Sequence, residues 1–90
     1  MTATLVVRHS VADYAAWRPV YDQLDSLRAQ HGCTAEQVLA APGDANDLLI
    51  THAFPSVEQA DAFAHDPALR TGTEQAGVVG APRIEIFESV

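Results

Sequence analysis

Strand-like and helix-like patterns of apolar residues alternate along the chain. Residues 4–9 are apolar and β-branched with partial alternation, which predicts a first strand. Residues 34–41, 47–53 and 83–88 have the composition of three further strands. The Pro-Gly-Asp-Ala-Asn cluster at 42–46 is typical of a turn, so the second and third strands are predicted to form a hairpin.

The longest helical pattern follows the first predicted strand. Asp13 can cap the start of this helix with its carboxylate, and Gly32 can end it in the left-handed conformation. Pro19 has no amide hydrogen, so we expect a kink there or a short first turn before the main helix. One face of the helix carries residues at spacings of three and four: Trp17, Val20, Tyr21, Leu24, Leu27 and Arg28.

A second helical region lies between the third and fourth predicted strands. Ser56 and Gln59 have the spacing of a capping box, which predicts a helix start. Asp66 and Pro67 restart a helix that runs towards Ala76, with proline at the favoured first position. The apolar face of the first of these segments is formed by Val57, Ala60, Phe63 and Ala64.

The order of elements, βαββαβ, predicts a single α+β domain over residues 1–90 with a ferredoxin-like fold. Its four-stranded antiparallel sheet is expected in the order 4-1-3-2, with both helical regions on one face. In so short a chain only a second copy can cover the bare face, so we predict a homodimer through the sheet face. Matching the apolar faces of the strands pairs Val6 with Phe87, Arg8 with Glu85 and, in the hairpin, Glu36 with His52.

The charge pattern excludes several classes of partner. The net charge is −7, and the five basic residues form no patch that could neutralise nucleic acid or an anionic membrane. The one cysteine and the absence of a Cys/His cluster predict neither a disulfide nor a metal or cofactor site. No signal-peptide pattern begins the sequence and no apolar stretch approaches about 20 residues, so a cytoplasmic location is expected.

Histidines are the candidate general bases, because imidazole titrates near neutral pH. His9 and His52 are each in phase with the apolar residues of their strands, so we expect their rings on one face of the sheet. Since the two strands are antiparallel neighbours, these histidines lie at opposite ends and cannot share one metal ion. The alternative for both is a structural, hydrogen-bonded histidine. His31 and His65 end helices, where a cation suits the helix dipole.

Aromatic residues form the other candidate group. One side of the first helix carries Tyr14, Trp17 and Tyr21, and further pocket walls are predicted at Phe63 and Phe87. These rings either pack as ordinary core or line a pocket for a flat apolar substrate.

The chain as a whole resembles the dimeric α/β-barrel superfamily, and within it small proteins of the antibiotic biosynthesis monooxygenase type. The resemblance rests on the Val-Arg-His end of the first strand, the Asp-Tyr-Ala-Ala-Trp-Arg opening of the first helix, the strand 48–52 with the Pro-Ser after it, and the run from Asp66 to Gly80. It implies two sheets packed face to face, with a pocket between sheet and helices in each subunit. The tryptophan that quinone-forming members carry on the second helix is missing here, because the one Trp lies on the first helix.

This resemblance implies a small cofactor-independent monooxygenase-like enzyme acting on an aromatic or polyketide-type molecule of secondary metabolism. His9 or His52 would be the base, and Arg8, unless paired with Glu85, would hold the phenolate. A cyclase or isomerase that forms an enolate with the same base is one alternative. A non-catalytic metabolite-binding or accessory dimer is the other.

Overall fold

The computed structural model describes residues 2–90, which form one four-stranded antiparallel sheet and four helices. The strands are β1 (Ala3–Val11), β2 (Ala35–Ala41), β3 (Asp44–Phe54) and β4 (Val78–Glu88). The helices are α1 (Tyr14–Gln23), α2 (Asp25–Gln30), α3 (Val57–Ala64) and α4 (Pro67–Gln75). The sheet order, β2-β3-β1-β4, is the predicted order counted from the other edge, so the ferredoxin-like α+β fold is confirmed. None of the described helices is long and apolar enough to cross a membrane.

The helices cover one face of the sheet, because alternate residues of each strand point to the same side. We call the covered side the inner face; its central residues are Ala3, Leu5, Val7 and His9 of β1 and Leu48, Ile50, His52 and Phe54 of β3. The opposite side is the outer face, with Thr4, Val6, Arg8, Leu39, Leu49, Thr51, Arg83, Glu85 and Phe87. The hydrophobic core lies between the inner face and the helices.

The first helical region is interrupted at Leu24 and not at Pro19, where the kink was expected. Helix α1 continues through Pro19. Because proline has no amide hydrogen, the Ala15 carbonyl oxygen has no helical hydrogen bond to accept. Pro19 and Ala15 both lie on the exposed side of the helix, where water can bond that carbonyl. Leu24 leaves the helical conformation (φ −86°, ψ 6°), and α2 begins at the next residue.

The predicted register between β1 and β4 is wrong by two residues. A shift of two leaves every side chain on its own face, so the match of apolar faces could not detect it. The expected pairs of Val6 with Phe87 and of Arg8 with Glu85 therefore do not form. The observed partners are Val6 with Glu85, Thr4 with Phe87 and Arg8 with Arg83. The hairpin pair of Glu36 with His52 is confirmed.

Helix α3 begins at the predicted cap, Ser56. The Ser56 hydroxyl accepts a hydrogen bond from the Gln59 amide nitrogen at 3.2 Å and donates to the Gln59 side-chain oxygen at 3.0 Å. With the start of the helix fixed by this cap, Ala60 and Phe63 point into the core, where both are almost completely buried.

Replacing this cap by alanine should destabilise the domain. Ser56→Ala is expected to lower the free energy of unfolding by about 0.5–2 kcal/mol in a urea titration, because an amide of the first turn loses its acceptor. Ser26→Ala, at an exposed position in the first turn of α2 that is not the cap, is the matched control and should change it by less than about 0.5 kcal/mol. Equal effects of the two substitutions would show that the cap does not stabilise α3.

Candidate functional site

A narrow cavity of about 70 Å³ lies between the inner face and the helices. Five of the residues singled out from the sequence line it: His9, His52, Trp17, Tyr21 and Phe63. The other lining residues are Val7, Val20, Leu24, Arg28, Ile50, Leu69, Gly72, Thr73, Ala76, Pro82 and Ile84.

Three of the predicted site residues lie outside this cavity. The Arg8 guanidinium is on the outer face, where it pairs with both carboxylate oxygens of Asp47 and donates to the Leu48 carbonyl oxygen at 3.1 Å. Phe87 is also on the outer face, and 56% of it is exposed. Tyr14 stands half-buried at the start of α1, beside Trp17. Since neighbours in a strand point to opposite faces, Arg8 cannot assist His9 in this cavity.

His52 is the most deeply buried ionisable group that faces the cavity from the sheet. Only 4% of it is exposed, and neither ring nitrogen has a hydrogen-bond partner. Its ring centroid lies 5.3 Å from that of Phe63 and 6.2 Å from that of Tyr21. Burial, reinforced by the charge of Arg28, lowers the pKa of His52 to about 4, although Glu36 acts in the opposite direction. His52 is therefore a neutral imidazole at pH 7.

His9 faces the same cavity from β1. It is half-buried, and its two ring nitrogens are also buried without a partner. Its ring is nearly perpendicular to that of Trp17, with the two centroids 5.9 Å apart. Burial, and secondarily the charge of Arg8, lowers the pKa of His9 below its usual value. His9 is thus a second neutral imidazole with free hydrogen-bonding capacity.

Arg28 is the cation of the cavity and was not among the residues predicted for the site. Only 5% of it is exposed. Its Nη1 donates to the Tyr21 carbonyl oxygen at 3.0 Å, and its guanidinium carbon lies 4.1 Å from the centroid of the Tyr21 ring. The nearest carboxylate is that of Asp25, 3.7 Å from Nη2 and itself highly exposed, while Nε has no partner. A buried charge so incompletely paired is costly, and it makes the cavity favourable for an anion.

A signal for Arg28 was present in the sequence. Arginine occupies an apolar position on the stripe of the first helical region, where a solvated side chain would not be expected. The guanidinium does not extend outwards from that position but folds back over the Tyr21 ring.

Tyr21 connects the cation and the bases. Its ring stacks on Trp17 at a centroid distance of 4.7 Å, and its hydroxyl donates to Glu36 Oε2. Burial and this hydrogen bond raise the pKa of Tyr21 well above its usual value, although Arg28 acts in the opposite direction. The phenol therefore stays protonated and fastens α1 to β2.

The two cavity histidines stand at opposite ends of the inner face, as predicted. His9 pairs across the sheet with Leu48, while His52 pairs with Leu5. Within residues 2–90, no cluster of three or more His, Cys, Asp or Glu side chains has an arrangement that could hold a metal ion. The remaining histidines lie at helix ends: His31 Nε2 is 2.8 Å from Asp66 Oδ2, and His65 Nδ1 is 2.9 Å from the Asp61 carbonyl oxygen.

No family model matches the sequence, and no curated protein matches it with significance. Solved structures do match, over almost the whole chain. A Caulobacter crescentus protein provisionally assigned as an antibiotic biosynthesis monooxygenase has a TM-score of 0.79 at 18% identity, covering 99% of this chain and 90% of that one. SnoaB from Streptomyces nogalater, described as a cofactor-independent oxygenase, has a TM-score of 0.80 at 13% identity, covering 99% and 93%. Rv0793 from Mycobacterium tuberculosis has a TM-score of 0.75 at 14% identity, covering 100% and 96%.

These structures establish the class to which the fold belongs. The chain has the ferredoxin-like fold of the antibiotic biosynthesis monooxygenase-type structures, as the sequence resemblance predicted.

The burial of His52 should make stability depend on pH. In the unfolded chain its pKa returns to about 6.5, so between about pH 6.5 and pH 4 the unfolded state binds more protons than the folded state. The free energy of unfolding should therefore fall as the pH drops through this window, by on the order of 3 kcal/mol for this residue, and the loss should end below the folded pKa.

Urea titrations of the wild type and of His52→Gln at about pH 7 and about pH 4.5 measure this dependence. The wild type should lose more stability on acidification than His52→Gln. The exposed His65 provides the control His65→Gln, which should retain the wild-type dependence. The same acid loss in all three proteins would rule out His52 as its source.

Proposed function

We propose that this chain is a cofactor-independent oxygenase-type enzyme that ionises an acidic aromatic molecule in the inner cavity and lets the anion react with dioxygen. The observation that carries the proposal is the placement of His52, with both nitrogens free, beside the incompletely paired cation Arg28 in one cavity. The fold shared with SnoaB, described as a cofactor-independent oxygenase, supports the same reaction class.

In this proposal His52 is the general base. A phenol in the cavity gives its proton to the neutral imidazole, and the resulting phenolate lies between the imidazolium and Arg28. Burial, the main cause of the low pKa of His52, also disfavours the ionised phenol, so the proton transfer depends on the phenolate being stabilised by the adjacent imidazolium and by Arg28. In a site with little water, both positive charges stabilise the phenolate more strongly than solvent-exposed charges would.

The oxygen step can be written for 1-naphthol, a two-ring phenol. The carbon para to the phenolate oxygen forms a bond to dioxygen and loses its hydrogen, and the O–O bond then breaks. One oxygen atom becomes the second carbonyl of 1,4-naphthoquinone and the other leaves as water. The phenolate supplies the electrons, so no external reductant is consumed. Arg28 holds the anion, while Trp17 and Phe63 provide apolar walls that limit the access of water.

We further propose that a second copy of the chain covers the outer face. Leu39 is 42% exposed and Phe87 56% exposed on this face. Its charged residues are paired within the face, Arg8 with Asp47 and Arg83 with Glu85, so it carries little net charge in a chain whose net charge is −7. Such a face can meet its own copy across a two-fold axis without the repulsion that the rest of the surface would cause.

Loss of the buried cation should abolish most of the oxygen uptake. With 1-naphthol as substrate, Arg28→Gln is expected to reduce the rate of oxygen consumption by about 10²-fold, a typical loss on removing one donor to a developing anion. Arg28→Lys, which keeps the charge, should recover part of the rate. Arg70→Gln changes a highly exposed arginine of α4 and should leave the rate unchanged. Circular dichroism of each variant confirms that it is folded.

The outcomes of this experiment separate the candidate functions. An oxygen uptake that is equal in wild type and Arg28→Gln would refute the role of the cation. Turnover of an enolisable substrate under argon would instead favour the cyclase or isomerase. Saturable binding with no turnover in air or argon would contradict the enzyme proposal and favour a metabolite-binding dimer.

The dimer is tested by its mass in solution. Wild type should elute with twice the 9.6 kDa mass of the chain in size-exclusion chromatography with light scattering. Leu39→Glu places a charge in the proposed interface and should yield the monomer, since an unpaired buried carboxylate is costly. Val57→Glu, at an exposed apolar residue of α3, should remain dimeric. A monomeric wild type, or equal masses of both variants, would contradict an interface on the outer face.

A further inference from the structure

One polar group of the inner cavity has no task in the proposed reaction. His9 lines the same cavity as His52, and both of its ring nitrogens are buried without a hydrogen-bond partner. A neutral imidazole can donate one hydrogen bond and accept another, and both capacities of His9 are unused by the protein. Its ring packs nearly perpendicular to that of Trp17, and neither nitrogen has a hydrogen-bond partner there.

The position of His9 matters because it is far from His52. His9 faces Leu48 across the sheet, and His52 lies four residues further along β3, which corresponds to about 13 Å at the usual rise of a strand. The wall between the two ends is aromatic, formed by the stacked rings of Trp17 and Tyr21. The cavity thus has a polar group at each end and an apolar middle.

We propose that His9 is a specificity-determining residue that hydrogen-bonds a second oxygen of the substrate, at the end opposite to the oxygen held by His52 and Arg28. The substrate class is then a flat aromatic molecule with oxygen functions at opposite ends, such as a dihydroxyarene. This inference rests on the proposed function, which assigns the first oxygen to His52 and Arg28. Both a hydroxyl and a carbonyl group fit the His9 end, because neutral imidazole offers a donor and an acceptor.

The proposal differs from simple packing of His9 against Trp17 in what it predicts for ligands. A ligand that places a methyl group at the far end would leave both nitrogens of His9 buried and unbonded. A ligand with a hydroxyl group there would bond one of them. A neutral hydrogen bond of typical net strength corresponds to about a 3- to 10-fold difference in dissociation constant. Simple packing predicts no such preference.

The test compares 1,5-dihydroxynaphthalene with 5-methyl-1-naphthol, which has nearly the same shape, and with 1-naphthol. Binding is measured by calorimetry under argon, so that no oxidation occurs. Wild type should bind the diol about 3- to 10-fold more tightly than the methyl compound. In His9→Phe this preference should vanish while the affinity for 1-naphthol stays within about 2-fold, and in His9→Gln part of it should remain.

The control His65→Phe changes an exposed histidine and should keep the full preference. Equal affinities of the two ligands for wild type, or a preference that survives in His9→Phe, would overturn the role of His9 while leaving the proposed function intact. If wild type binds none of the three compounds, the proposed function fails and this inference fails with it. The comparison of the diol with the methyl compound uses wild type alone, so its result does not depend on whether a variant folds.

Discussion

The contacts of Tyr21 are the interaction on which the candidate site depends. Its ring stacks on Trp17 and lies beneath the guanidinium of Arg28, and its hydroxyl reaches Glu36 on β2. One side chain of α1 thereby positions a residue of α2 and an edge strand of the sheet. Glu36 is the cross-strand partner of His52, so the same contacts bring the cation and the buried base to one end of the cavity.

The interruption between α1 and α2 makes this arrangement possible. At the break the Tyr21 carbonyl oxygen accepts from the Leu24 amide at 3.1 Å and from Arg28 Nη1 at 3.0 Å. In an uninterrupted helix that oxygen would bond the amide four residues later. The side chain of Arg28 thus donates a hydrogen bond to a carbonyl oxygen that has lost its usual helical partner. This bond partly offsets the cost of burying the charge of Arg28.

The cavity is energetically costly for so small a domain. His9, His52 and Arg28 together hold five buried nitrogen atoms without a hydrogen-bond partner in the protein, and leaving such an atom unbonded is costly. A chain of this length buries a limited fraction of its surface and has little stability to spare. Polar groups left unbonded around one cavity are better explained by a ligand that bonds them than by packing, for which leucine or phenylalanine would serve.

The sequence by itself determined the fold and the placement of His9 and His52 on the inner face. Strand alternation has a period of two, which assigned His9 and His52 to the same face. The same rule puts Arg8 on the opposite face, so its predicted role in the pocket of the histidines was wrong. Capping residues located α3 and α4. Only the tertiary structure decided the β1–β4 register, because a slip of two residues preserves every face. It alone revealed Arg28, since burial of that charge depends on the break at Leu24 and on a carbonyl seven residues earlier in the chain, which no local pattern specifies.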